Sequence, residues 1–219
     1  MVSPFPIDDT LTRLQKAAVN FEIPVVSEVA GMEGDPFKVL LATIISLRTK
    51  DEVTGPASAR LFALGGDPEH LLAVAEEHIA KAIYPAGFFR VKAKTIHKIC
   101  RRLLDDFGGQ VPNTLEALLS LDGVGRKTAN LTLTEGFNLP GICVDIHVHR
   151  ICNRWGYIRC KTPDQTEMRL RAKLAQEWWI PINQILVAFG RNICRPVSPH
   201  CSICPMADVC RQVGVTTTR

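Results

Sequence analysis

The sequence predicts an all-α protein, and three observations carry that expectation. Apolar residues recur at helical spacing through most of the 219 residues. Helix-starting pairs such as Asp67-Pro68 and Thr162-Pro163 stand ahead of those runs, with Gly108-Gly109 behind the longest of them. No stretch alternates apolar with polar residues well enough to be defended as a strand, and no internal repeat is present.

Taken in order, residues 11–19 form the first expected helix, with Asp8, Asp9 or Thr10 as its cap. Residues 23–35, interrupted by prolines and glycines, read as a linker. Residues 37–47 follow Pro36 and are apolar on nearly every side, as a helix buried among others would be; the exit through Arg48 turns abruptly polar. Helices are expected over 57–64, 68–75 with Asp67 as cap, and 76–83. Residues 84–89 break the pattern and leave Phe88 and Phe89 in a turn. An amphipathic helix is expected over 90–107, with Val91, Ala93, Ile96, Ile99, Cys100, Leu103 and Leu104 on one side. Arg90, Lys94, Lys98, Arg101 and Arg102 fall on the other, the footprint of a polyanion partner or of a plain solvated face. Asn113 or Thr114 caps the next helix. Beyond Pro140 come a short β-branched run, Asp145, and helices over 146–154, 163–177 and 182–191. Thr162 and Gln165 are set for a capping box at the second of these.

Composition bounds the class. A hydrophobic content of 46% supports a real core, and a net charge of +4 is too small to bind a polyanion except through local clustering. No apolar run is long enough to cross a bilayer, and the N-terminal residues lack a secretory pattern, so a membrane is not expected as a partner. The expected compartment is the cytosol or the nucleus, where eight cysteines point to a metal or cluster before disulfides.

The functional reading turns on Leu121-Asp122-Gly123-Val124-Gly125-Arg126-Lys127-Thr128-Ala129-Asn130, which lies between two apolar runs of helical spacing. Gly123 and Gly125 suggest a tight hairpin, since glycine takes positive φ without a Cβ penalty. Such a turn aims backbone N–H groups from the positive end of the second helix, a place for an anion such as phosphate. Arg126 and Lys127 occupy that first turn, the unfavourable end of a helix for cations, and a bound polyanion would account for them.

Cys194, Cys201, Cys204 and Cys210 place four thiols within 17 residues. A loop this short has little to fold around except a soft metal centre. Structural zinc sites favour two close pairs, and here Cys201 and Cys204 form only one, so a cubane iron-sulfur cluster fits better, with zinc as the alternative. Cys100, Cys143, Cys152 and Cys160 lack ligand spacing and read as small buried or idle residues.

The hairpin, the stretch Val144-Asp145-Ile146-His147-Val148-His149-Arg150, the turn over 84–90 and the four-cysteine loop resemble, in this order and spacing, the endonuclease III family of helix-hairpin-helix DNA glycosylases. The resemblance implies two helical lobes with a DNA-binding groove between them: a helical barrel over 29–139 that includes the hairpin, and a cluster lobe joining 1–28 to 140–219. It also implies a [4Fe-4S] cluster on the four cysteines, and removal of oxidised pyrimidines from duplex DNA followed by β-elimination at the abasic site. Lys127 would be the nucleophile, and Asp145 would steady the positive charge that builds on the sugar. Gly123, Gly125 and Arg126 would hold phosphate; Phe88 would fill the gap left by the extruded nucleotide, and Arg48 would face the orphaned base where the family has glutamine. Arg90 and Lys94 would touch the backbone. Two further departures are Ile146 for threonine and Asp122 for proline. A monomer on damaged or abasic double-stranded DNA is the simplest assembly, nucleoid-associated in a prokaryote or nuclear in a eukaryote. The alternatives are a thymine or uracil mismatch glycosylase and a noncatalytic iron-sulfur DNA-binding protein.

His147 and His149 flank Val148 and could suggest a metal pair, although hydrogen-bonded or solvated histidines are the simpler expectation.

Overall fold

A computed structural model describes residues 5–17 and 34–219, so most of the expected linker over 23–35 lies outside the described residues. Among those residues every regular element is a helix and no strand forms. Contacts divide the chain into two compact units, one containing the described residues 34–141 and the other 5–17 with 142–219. The junction expected after residue 139 therefore falls after 141, and the one expected at 28/29 lies outside the described residues.

In the first unit α2 (Pro36–Ser46) runs through the core. Asp35 starts it by accepting hydrogen bonds from Phe37 N at 2.9 Å and Lys38 N at 3.5 Å, with Pro36 at the first position. Phe37 and the residues from Val39 to Ile45 are all buried, as an all-round apolar helix requires. α3 (Asp51–Phe62) begins six residues earlier than expected. Pro56 is accommodated inside the helix, and Asp51 and Glu52 suit the positive end. α4 (Pro68–Ala73), capped by Asp67, and α5 (Glu76–Ile83) follow. The long α6 (Phe89–Phe107) closes at Gly108, whose φ is 58°, with Gly109 N donating to Leu103 O at 2.8 Å.

α6 corrects one detail of the expected face. Val91 is 62% exposed, and Lys92, only 6% exposed, is buried in its place. With 3.6 residues per turn it is residue 92, not 91, that lies in line with Ile96, Ile99 and Leu103. α7 (Leu115–Leu119), capped by Thr114, leads through the hairpin to α8 (Arg126–Leu131), which continues into a wider π turn over Thr132–Gly136. Gly136 packs against Pro36, where a Cβ would come within 2.9 Å of its Cα, so the far end of the hairpin abuts the start of α2.

The second unit gathers α1 (Ile7–Ala17), α9 (Ile146–Arg154), α10 (Pro163–Arg171) and α11 (Pro181–Asn192) around Leu11, Val148, Trp155 and Phe189. α1 starts ahead of expectation: Asp8 and Asp9 sit inside its first turn, and Thr10 is a buried helical residue donating to Pro6 O at 2.8 Å. Thr162 caps α10 as expected, but the Gln165 side chain accepts from Lys161 N, one residue further back than a strict capping box. α10 also stops six residues short of the expected end. Beyond that end the Trp178 indole donates to Asp8 Oδ1 of α1 at 2.9 Å and the Trp179 indole to the nearby Leu174 O at 3.1 Å. Among the described residues no helix is long and apolar enough to cross a membrane.

Candidate active site and four-thiol loop

Only one of the two hairpin glycines uses a left-handed backbone. Gly123 has φ of 73°, and a Cβ there would lie 2.8 Å from Thr95 Cγ2. Gly125 has an ordinary φ of −93° and forms the N-cap of α8 without a side-chain hydrogen bond. A Cβ on Gly125 would meet nothing within 4 Å, so its side of the turn is open to a ligand's approach. Arg126 and Lys127, both half-buried, occupy the first turn. Asp122 lies 3.7 Å from Lys98, which gives this departure from the family's proline an ion-pair partner.

Asp145 is the N-cap of α9. Its Oδ1 accepts from His147 N at 2.8 Å and Val148 N at 3.0 Å, and both hydrogen bonds fall on that one oxygen. Ile146, 68% exposed, leaves the cap intact without the family's hydroxyl. The histidines turn to separate partners: His147 Nδ1 lies 3.1 Å from Arg150 Nη2, and His149 Nδ1 lies 2.7 Å from Thr166 Oγ1, with burial holding the His149 pKa below its ordinary value. Lys127 belongs to the first unit and Asp145 to the second.

Of the adjacent aromatics, Phe89 packs edge-on to Tyr84 at 5.3 Å, whereas Phe88 is 61% exposed. Phe88 therefore does not serve the core beside Phe89. Arg48, at the exit of α2, is exposed, and its guanidinium carbon lies 5.5 Å from the Phe88 ring centroid. Both residues adopt positive φ, 53° for Arg48 and 57° for Phe88, which is uncommon away from glycine. Along α6 the basic face is exposed but partly self-neutralised, for Lys98 and Arg102 pair with Asp122 and Asp106. Arg90 stacks 4.7 Å from the Phe89 ring centroid, and Lys94 is exposed.

The four thiols of Cys194, Cys201, Cys204 and Cys210 rim one pocket backed by Trp155 and Phe189, and none is in a disulfide. Backbone N–H groups reach the sulfurs, from Met206 to Cys204 Sγ and from Gln212 to Cys210 Sγ, each at 3.4 Å. Burial pushes the Cys204 thiol up to about 11 and raises Cys201 and Cys210 as well, so thiolates here need positive charge within the pocket. Among the described residues no three His, Cys, Asp or Glu side chains converge tightly enough for one metal ion. Thiols spread around a rim, with N–H donors aimed at sulfur, suit a multi-iron cluster.

Sequence reasoning missed what holds this loop. Arg154, 9% exposed, donates to Arg195 O and Pro196 O at 2.6 Å and reaches Cys194 Sγ at 3.5 Å, while Arg150 donates to Cys194 O at 2.8 Å. Their four-residue spacing on α9 was the available signal. Arg191, Arg195 and Arg211, which flank the loop in sequence, are exposed.

A hairpin that leads two cations into a helix, followed by a rim of four thiols, defines a helix-hairpin-helix protein with an iron-sulfur loop. The family model described as the HhH-GPD superfamily base excision DNA repair protein matches residues 41–176, and that described as the iron-sulfur binding domain of endonuclease III matches 194–210. Endonuclease III of Thermotoga maritima is 46% identical over 178 residues, covering 81% of this chain and 84% of its own length. Endonuclease III homolog 2, chloroplastic, of Arabidopsis thaliana is 42% identical over 80% of this chain, which spans only 47% of that longer protein. A solved structure titled as a trapped endonuclease III-DNA covalent intermediate is 31% identical with a TM-score of 0.86, over 97% of each chain. The chain belongs to the endonuclease III family of the HhH-GPD superfamily. It is accordingly a DNA-binding glycosylase and lyase of base excision repair that carries a [4Fe-4S] cluster.

Proposed function

We propose that this protein removes oxidised pyrimidines from double-stranded DNA and then cleaves the strand at the abasic site, with Lys127 as nucleophile and Asp145 as the carboxylate that steadies the positive charge building on the sugar. The observation that carries the reading is the pairing, in one chain, of an amine in the first turn of the hairpin helix with a carboxylate whose two backbone hydrogen bonds fall on a single oxygen. The cap fixes the carboxylate, and Oδ2 keeps its lone pairs for charge that develops on the sugar. A damaged base costs less to extrude because its stacking and pairing are already weakened. The Lys127 nitrogen then forms a bond to the sugar C1′ as the bond from C1′ to the base breaks, and the proton that the nitrogen gives up leaves with the base. The C1′–O4′ bond then breaks and O4′ takes a proton, which opens the sugar ring and leaves a Schiff base that acidifies C2′; loss of a C2′ proton expels the 3′ phosphate. Gly123, Gly125 and Arg126 take phosphate at the hairpin, Phe88 and Arg48 enter the base stack, and Arg90 and Lys94 contact the backbone.

The protein acts as a monomer and works where the DNA is, in the nucleoid-bearing cytoplasm of a prokaryote or the nucleus of a eukaryote. The cluster shapes the loop between Cys194 and Cys210.

One experiment separates this reading from its rivals. Duplexes carrying thymine glycol, a thymine mismatch or an abasic site are incubated with the protein and borohydride. A covalent adduct with thymine glycol, lost in Lys127→Ala, is the expected result. Release of mismatched thymine without an adduct would replace the reading with the mismatch glycosylase, on which Arg48 bears. The structural likeness to a thermostable thymine-DNA glycosylase, at 22% identity and a TM-score of 0.70, extends to the fold alone. Binding without either product would leave a noncatalytic clamp.

A further inference from the structure

Lys92 is a buried amine that the glycosylase chemistry leaves without a role. Its Nζ donates to Ile45 O at 2.7 Å, to Leu47 O at 2.6 Å and to Thr49 Oγ1 at 2.8 Å. The two carbonyls belong to the end of α2, where a helix presents its negative pole, so a cation is well placed there. Thr49 Oγ1 also accepts from Gly87 N at 3.1 Å, and Gly87 lies so close to the Arg48 carbonyl that a Cβ would overlap it. On its own backbone Lys92 N donates to Phe88 O at 3.0 Å. One residue therefore grips the segment on either side of Arg48 with its side chain and Phe88 with its main chain. The two residues it joins hold left-handed backbones, a conformation that persists away from glycine only where neighbours enforce it.

We propose that Lys92 is a positioning residue that makes Arg48 and Phe88 a single rigid two-pronged wedge, so that the two enter the base stack together. This rests on the reading that Arg48 and Phe88 contact DNA. The guanidinium stacked near the ring keeps the prongs in register at their tips, and the Lys92–Thr49–Gly87 bridge keeps them in register at their roots. Without the ammonium, one buried and two half-buried acceptors lose a donor, the two turns relax independently, and a wedge displaced by about an ångström loses on the order of 10²-fold in rate.

The test measures single-turnover release of thymine glycol from duplex DNA, with 2-aminopurine opposite the lesion to report filling of the stack. It compares full-length wild type, Lys92→Met, Lys92→Arg, Phe88→Ala and the Lys92→Met/Phe88→Ala double variant. Lys92→Met is expected to lose about 10²-fold in rate together with the fluorescence change, and Lys92→Arg to regain most of both. Because Lys92 acts through Phe88, the double variant should be no more than about twofold slower than the worse single variant. Multiplicative losses would overturn the proposal, as would a Lys92→Met enzyme whose borohydride trapping on a single-stranded abasic oligonucleotide falls by the same factor, the sign of general damage. Thr49→Val, which removes one acceptor and the link to Gly87, should repeat the pattern at smaller size and carries the test should Lys92→Met not fold. Wild-type rates in Phe88→Ala and Arg48→Ala would instead sink the underlying contact with DNA, whatever Lys92 does.

Discussion

Two helix starts carry the proposed chemistry, and they are built in opposite ways. α9 supplies its own counter-anion: Asp145 caps it with two hydrogen bonds to one oxygen. α8 has glycine where the cap would stand and two cations in its first turn. The first arrangement holds a carboxylate still inside the fold, and the second suits an anion brought from outside. The difference teaches that a capped helix end can fix a catalytic charge, whereas an end capped only by glycine can offer its backbone to a partner.

Changing each start in turn breaks or sharpens that contrast. The largest effect belongs to Lys127→Ala, which should abolish the borohydride adduct and lower abasic-strand cleavage by at least about 10³-fold while duplex affinity changes far less. An adduct that survives would put the nucleophile elsewhere. Asp145→Asn separates cap from charge, since asparagine caps about as well as aspartate. Base release should fall about 10²–10³-fold with an unchanged melting temperature, and Asp145→Ala should lose about 1 kcal/mol of stability as well. The hairpin glycines differ more subtly. Gly123→Ala forces a Cβ into Thr95 at positive φ and should cost about 1–2 kcal/mol in thermal melting. Gly125→Ala, with open space and an ordinary φ, should leave melting alone and weaken duplex binding about tenfold, since only a bound backbone would meet the new methyl group.

The smallest effect concerns a third start, that of α6, whose first-turn cation Lys92 is turned onto the carbonyl end of α2. Burial lowers the Lys92 amine from 10.5 to about 8. Between those values the unfolded chain keeps a proton that the folded chain has shed, so this group makes stability rise with pH from about 8 to 10.5 and weighs against folding below that window. Denaturant unfolding of wild type and Lys92→Met across pH 7.5–10 should show a slope more positive in wild type than in the variant, whatever the buried thiols add to both; equal slopes would remove the amine from the balance.

Much of the molecule was legible because short-range rules govern it. α5 and α9 fall where their patterns put them, and Asp67, Thr114 and Thr162 cap the helices they precede. The hairpin and the four thiols were legible through spacing. What escaped depended on partners far along the chain. α3 runs through Pro56 against its local propensity, and past the early end of α10 the Trp178 indole reaches Asp8, near the other end of the chain. A glycine at position 125 suggests positive φ, yet its backbone is ordinary and the space beside it is open. Lys92 was passed over because a lysine is presumed solvated, although its place in line with Ile96 and Ile99 marked it as inward-facing. Arg150 and Arg154 escaped for the same reason, long cationic side chains being able to satisfy several carbonyls at once inside a fold.

Because α2 is enclosed along nearly its whole length and Arg48 follows two residues past its end, recoil on the proposed Arg48 wedge would travel down the axis of a rod gripped by its surroundings. Mechanical stiffness at that proposed point of entry would then be drawn from the dense packing behind it, and a substitution such as Leu40→Ala would blunt the tool without touching its edge.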